Sequence, residues 1–309
     1  MRLGRFRVLA AVPVVLAVSL LALVIAGATY GPNTDIPKGT QGRHVVVNGI
    51  PLRVVQSGEG QDVLLIHGSP GSIEDWEPVA SALSGTFRVT RYDRPGHGYS
   101  GDDGEYSFEH NASTALALIH ALGLTKVIVV GHSYGGTTAL AVALQNSLAV
   151  AAYVVVDSST YEPSRKADMG MRLLEVPLLG YGFATMVGPV LAPARIQKGI
   201  VEQFRGVPPP GFVALRTRIW STPKVAHATA LETVGAAADL RALAPHYPSI
   251  QSPVYIVAEA DSEFRRSVAE RLHRDITGSV LHLVPDTGHF IQFEKPAAVV
   301  EAVREAAAR

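Results

Sequence analysis

From His44 onward the chain alternates short apolar runs with stretches of helical periodicity. Residues 44–47 and 51–55 flank Asn48-Gly49, a spacing that predicts a β-hairpin closed by a two-residue turn. Residues 63–66, Val-Leu-Leu-Ile, form an unbroken apolar run, the pattern of a strand covered on both faces. Further strands are predicted at 87–92, 126–130, 151–156, 253–258 and 279–284. Between these runs the periodicity predicts helices over 73–83, 137–144, 264–274 and 297–308. A further helix is capped by Ser107, runs to Leu122 and is stopped by Gly123. Eight strands alternating with helices predict an α/β fold, a mostly parallel eight-stranded sheet with helices on both faces.

The alternation stops between Thr160 and about Ser249. Helical patches there are punctuated by Pro177, Pro189, Pro193 and the run Pro208-Pro209-Pro210, which predicts an inserted helical cap. The expected organisation is therefore an N-terminal segment (1–42), a core in two parts (43–159 and 250–309) and a cap (160–249).

The N-terminal segment has its own signature. Arg2, Arg5 and Arg7 precede 21 uncharged residues, 8–28. As a helix they rise about 31 Å, enough for a bilayer core. The leading arginines predict a cytoplasmic end, so the expectation is a single membrane anchor with the rest of the chain outside the cytoplasm. Ala26-Gly27-Ala28 also suits signal-peptide cleavage, which makes secretion the alternative. Residues 29–42, with Gly31-Pro32-Asn33 and Pro37-Lys38-Gly39, read as a linker detached from the sheet.

Composition narrows the chemistry. The chain has 309 residues, and its 27 Lys+Arg balance 27 Asp+Glu, which gives no basic surplus for a nucleic-acid partner. It has no cysteine, so disulfides, thiolate catalysis and Cys-ligated metals are excluded. There is no H-E-x-x-H and no Walker pattern. Residues 96–101 satisfy G-x-G-x-x-G, but Asp102, Asp103 and Glu105 follow where a pyrophosphate would sit, and their charge would repel it. Neither a cofactor nor a metal is expected.

One stretch carries the chemistry. Gly131-His132-Ser133-Tyr134-Gly135-Gly136 follows a strand and opens a helix, the context that makes G-x-S-x-G a nucleophile elbow. A serine at so sharp a turn needs neighbours without side chains, which Gly131 and Gly135 supply. Asp261 and His289 also lie just past strand ends, where parallel sheets collect functional groups. The order Ser, Asp, His is the order of the α/β hydrolases.

Over residues 43–309 the chain resembles the α/β-hydrolase fold family, close to its lid-bearing esterases, cofactor-free perhydrolases and carbon–carbon bond hydrolases. The motifs that carry the resemblance are His67-Gly68-Ser69-Pro70-Gly71, Asp93-Arg94-Pro95-Gly96-His97-Gly98-Tyr99-Ser100, the elbow, and Gly288-His289-Phe290 with Glu294-Lys295-Pro296. The resemblance implies Ser133 as nucleophile, His289 as base and Asp261 as the orienting acid, with Asp157 as the alternative acid because some members carry it after the earlier strand. It implies an oxyanion hole from the backbone N–H groups of Ser69 and Tyr134. His67 and His132 are expected to be structural. Relatives that use an aspartate nucleophile, the haloalkane dehalogenases and epoxide hydrolases, are set aside by Ser133. The implied activity is hydrolysis of a small ester-like substrate through an acyl-enzyme. Perhydrolysis, carbon–carbon cleavage and a non-catalytic binding role are the alternatives. Phe183, Met186, Phe204, Phe212 and Trp220 are candidates for an apolar acyl pocket in the cap.

Overall fold

The computed structural model describes residues 2–162, 166–176 and 178–309, with side chains from Val12 onward. Pro177 and the side chains of Arg2, Arg5 and Arg7 lie outside the described residues. In chain order the strands are β1 (Arg43–Val47), β2 (Ile50–Ser57), β3 (Gln61–Ile66), β4 (Phe87–Tyr92), β5 (Val127–His132), β6 (Val150–Val156), β7 (Val254–Glu259) and β8 (Val280–Val284). The helices are α1 (Arg2–Ala28), α2 (Glu77–Leu83), α3 (Phe108–Ala121), α4 (Tyr134–Leu144), α5 (Met169–Leu174), α6 (Leu179–Met186), α7 (Gly188–Gln203), α8 (Phe212–Trp220), α9 (Pro223–Leu243), α10 (Glu263–Asp275), α11 (Ile291–Glu294) and α12 (Pro296–Ala307).

The strands form one sheet in the order β1-β2-β4-β3-β5-β6-β7-β8. The β1–β2 and β2–β4 pairs are antiparallel and all others are parallel. The Asn48-Gly49 turn has positive φ at both residues, the conformation a tight two-residue hairpin demands. Side-chain alternation divides the core between the two faces of the sheet. On β3, Leu64 and Ile66 pack with α3, α4 and α10, while Val63 and Leu65 pack with α2 and α12. Ser107 caps α3 as its sequence predicts, accepting a hydrogen bond from the His110 backbone N–H.

β3 pairs with β4 on one side and β5 on the other. Successive crossovers therefore leave it in opposite directions, and the crevice past its carboxyl end is the switch point where such sheets build sites. The loop at residues 67–71 and the elbow at Ser133 both open onto that crevice.

Between β6 and β7 lie α5–α9, with no strand among the described residues. Three buried cations tie this insertion to the sheet. Arg216 of α8 meets Asp75 at 3.1 Å, Glu232 of α9 pairs with Arg94 after β4, and Lys224 of α9 donates to the Ser100 carbonyl. A small apolar core of Phe204, Phe212, Trp220 and Phe290 adds packing across the same boundary.

The N-terminal segment departs from the sequence expectation. Among the described residues no helix is long and apolar enough to cross a membrane. The expected anchor, and the extracytoplasmic placement built on it, are overturned. The carboxyl half of α1 also packs on the insertion. A Cβ added at Gly27 would lie 1.8 Å from the Leu178 carbonyl oxygen, and one at Gly182 would lie 1.9 Å from that of Leu23. The linker is not detached either. Tyr30 stacks on Tyr181 at 5.0 Å and accepts the Lys224 backbone N–H, while the Gln41 carbonyl accepts from Arg53 at 2.8 Å. The detached segment assumed for a cleaved, secreted form is thus a docked part of the fold.

Candidate active site

Ser133 occupies the turn between β5 and α4 with φ 54° and ψ −119°, a conformation that costs a non-glycine residue about 1–3 kcal/mol. The turn is tight because its neighbours are bare. A Cβ at Gly131 would lie 2.0 Å from the Gly135 carbonyl oxygen, and one at Gly135 would lie 2.2 Å from that of Ile66. The same crowding that demands glycine lifts the serine above the strand ends. Its backbone N–H is held by the Val156 carbonyl at 2.9 Å, which fixes the elbow against β6.

His289 follows β8 and is anchored at two points. Its backbone N–H donates to the Gln203 carbonyl at 2.8 Å, and its own carbonyl accepts from His132 Nε2 at 2.9 Å. Gly288 lets the insertion pass this close, since a Cβ there would lie 2.3 Å from the Gln203 oxygen. Glu294 completes the brace, accepting from the Gly288 and Arg205 backbone N–H groups at 2.7 and 2.9 Å.

The acid beside His289 is Asp157, not Asp261. His289 Nδ1 lies 2.6 Å from Asp157 Oδ2. Burial by itself would raise the Asp157 carboxyl, but the hydrogen bond from His289 and the Arg265 guanidinium at 2.8 Å outweigh it and hold the group below its ordinary value. The ionised carboxylate only accepts, so Nδ1 carries the ring proton and Nε2 is left as the basic nitrogen. Asp261 instead pairs with Arg205 at 3.3 Å and accepts the Asp286 backbone N–H at 3.0 Å. The reason lies in strand order. β6 neighbours β5, so the residue ending β6 sits beside the elbow, whereas Asp261 lies one strand further out in the turn into α10.

His67 and His132 serve as structural side chains. Burial drives both imidazoles well below their ordinary value, with nearby Arg94 acting on His67 and His289 on His132. His67 Nδ1 donates to the Gly68 carbonyl at 2.8 Å and Nε2 accepts the Arg94 backbone N–H at 2.9 Å. Arg94 binds the same loop from beneath, donating to the His67 and Gly68 carbonyls at 3.1 and 2.8 Å. That pinned loop delivers Ser69, which lines a cavity of about 340 Å³ together with Ser133, Tyr134, His289 and Phe290. The Ser69 hydroxyl is buried with no hydrogen-bond partner, a donor left for something in the cavity. Among the described residues no group of histidines and acids could hold a metal ion.

The model of the alpha/beta hydrolase family matches residues 63–302. The chain belongs to the α/β hydrolase family. This α/β hydrolase is 28% identical to an esterase of Mycobacterium tuberculosis over 80% of its own length and 83% of the relative's. It is also 28% identical to a 2-hydroxymuconate semialdehyde hydrolase of Pseudomonas, covering 85% of this chain and 92% of that one. An enol-lactonase from Burkholderia xenovorans shares the fold at a TM-score of 0.69 and 22% identity, over 86% of this chain and all of that one. The protein is a hydrolytic enzyme.

Two features of this hydrolase escaped the sequence. Arg265 grips the Asp157 carboxylate from the first turn of α10, and its only sequence signal is its place one turn past Asp261. Arg94 is visible in the Asp93-Arg94-Pro95-Gly96 motif, yet its partner Glu232 comes 138 residues later from the insertion. Burial works against the Arg94 charge, and Glu232 outweighs it and holds the guanidinium above its ordinary value. Glu232→Gln should therefore lower stability by about 3–5 kcal/mol, since it leaves a buried cation unpaired. Urea unfolding measures this, and a change under about 1 kcal/mol would mean that Asn111 and the loop carbonyls satisfy Arg94 without Glu232.

Proposed function

We propose that this hydrolase cleaves uncharged carboxylic esters through Ser133, His289 and Asp157, with residues 160–249 acting as a cap over the site. The supporting observation is the 2.6 Å contact between His289 Nδ1 and Asp157 in the cavity that Ser133 lines. His289 Nε2 takes the Ser133 proton as Oγ attacks the ester carbonyl, and Asp157 stabilises the imidazolium that forms. The backbone N–H groups of Tyr134 and Ser69 receive the oxyanion, with the unpartnered Ser69 hydroxyl as a third donor. The imidazolium then protonates the departing alkoxide. Water, deprotonated by His289, attacks the acyl-enzyme, and the acid leaves with Ser133 restored.

Carbon–carbon cleavage is the competing reading, and the Pseudomonas relative is named a 2-hydroxymuconate semialdehyde hydrolase. Arg265, the arginine lining the cavity among the described residues, is already paired with Asp157 and Glu259. An uncharged ester suits such a cavity better than an anionic substrate does. The test is a fluorophosphonate probe followed by peptide mapping, run beside turnover of p-nitrophenyl esters. The expected result is modification at Ser133 and release of nitrophenol. Labelling elsewhere, or no turnover of any ester, overturns the proposal.

A further inference from the structure

A second cavity, of about 210 Å³, lies within the insertion. Its wall is built by Leu174 of α5, Phe183 of α6, Leu191, Ile196 and Ile200 of α7, and Ala230 of α9. Pro70, Gln203 and Trp220 line both this chamber and the catalytic cavity, so the two spaces adjoin beside the oxyanion loop. Its one charged lining residue, Arg195, is mostly exposed and meets Asp168 at 3.6 Å. With Trp220 of α8, five helices thus line an apolar space that opens to solvent past Leu191 and Arg195. A hydrocarbon guest there removes apolar surface from water, which favours its binding.

We propose that this chamber takes the hydrocarbon tail of a medium-chain acyl group while the ester carbon sits at Ser133. The inference rests on the ester reading above and adds the substrate class. The size of the tail follows from volume. An apolar cavity of roughly 150 Å³ holds the six carbons of benzene, so 210 Å³ takes about eight. The candidates read from sequence divide accordingly. Phe183 and Trp220 line the chamber, Phe204 and Phe212 belong to the packed core, and Met186 is exposed.

Gly199 offers a way to close the chamber. It lines the wall from within α7, and a Cβ added there would meet only Gln203 Nε2, at 4.0 Å. Across p-nitrophenyl esters, kcat/KM should rise about fourfold per methylene from butyrate toward octanoate, the factor that burying one CH₂ implies. Gly199→Phe should lower the octanoate-to-butyrate ratio by about 100-fold, and Gly199→Leu by less. A direct binding measurement accompanies the kinetics. Decanoate should shift the fluorescence of Trp220, because the other tryptophan, Trp76, is buried in the sheet core, and Gly199→Phe should abolish the shift. Ester turnover with a flat chain-length profile, or decanoate binding unchanged in Gly199→Phe, overturns the chamber. If no ester is turned over but decanoate still binds in a Gly199-dependent way, the chamber stands and the catalytic reading falls.

Discussion

Ser133→Ala should abolish ester hydrolysis, with kcat down by about a million-fold. His289→Ala should cost a similar amount, and the double variant little more. Triad members act as one unit, since a base without a nucleophile and a nucleophile without a base are equally idle. The backbone N–H groups that face the oxyanion survive both changes, so a small residual rate over water remains. The strained elbow relaxes little on substitution, because its shape is set by Gly131 and Gly135 packing against backbone. Steady-state rates on purified variants check this. Two single losses that multiply in the double variant would show independent roles and sink the assignment.

Asp157→Asn is the second large effect, about ten-thousand-fold in kcat, because an amide beside Nδ1 favours the wrong tautomer and leaves the imidazolium unsupported. Asp261→Asn should stay within about threefold, as its partners are Arg205 and the Asp286 backbone rather than His289. The opposite ranking would restore Asp261 as the orienting acid. The pH profile follows from the same geometry. Asp157 is held below its ordinary value, so its contribution to stability is present above the unfolded carboxyl pKa and is lost only as pH falls through the lower folded one. Through the neutral range it stays ionised, and acidification should remove activity in one step as His289 takes up a proton. A second acidic break above pH about 4 would show that Asp157 titrates with the site.

The fold was legible in the chain because its signals are local. Residues 63–66 and 150–156 are continuous apolar runs, and the Asn48-Gly49 turn and the Ser107 cap act within a few residues. The elbow was legible for the same reason, since strand, glycines and helix surround Ser133 within a dozen positions. The long apolar run near the amino terminus shows the limit of such signals. Hydropathy registers that residues are apolar but not what they touch, and here Val14, Leu16 and Val18 stay exposed while Gly27 and Gly182 bring the carboxyl end of α1 onto the insertion.

What the sequence by itself determined is the elbow at Ser133, the place of His289 just past the last strand, and the sheet that carries both, because each is signalled by residues a few positions away. The tertiary structure alone decided which acid faces His289, what neutralises Arg94, and where the insertion leaves space. Asp157 and Asp261 both end strands and both precede His289. Only the placement of β6 beside β5 brings Asp157 to the imidazole, and no local pattern encodes the order of strands across a sheet.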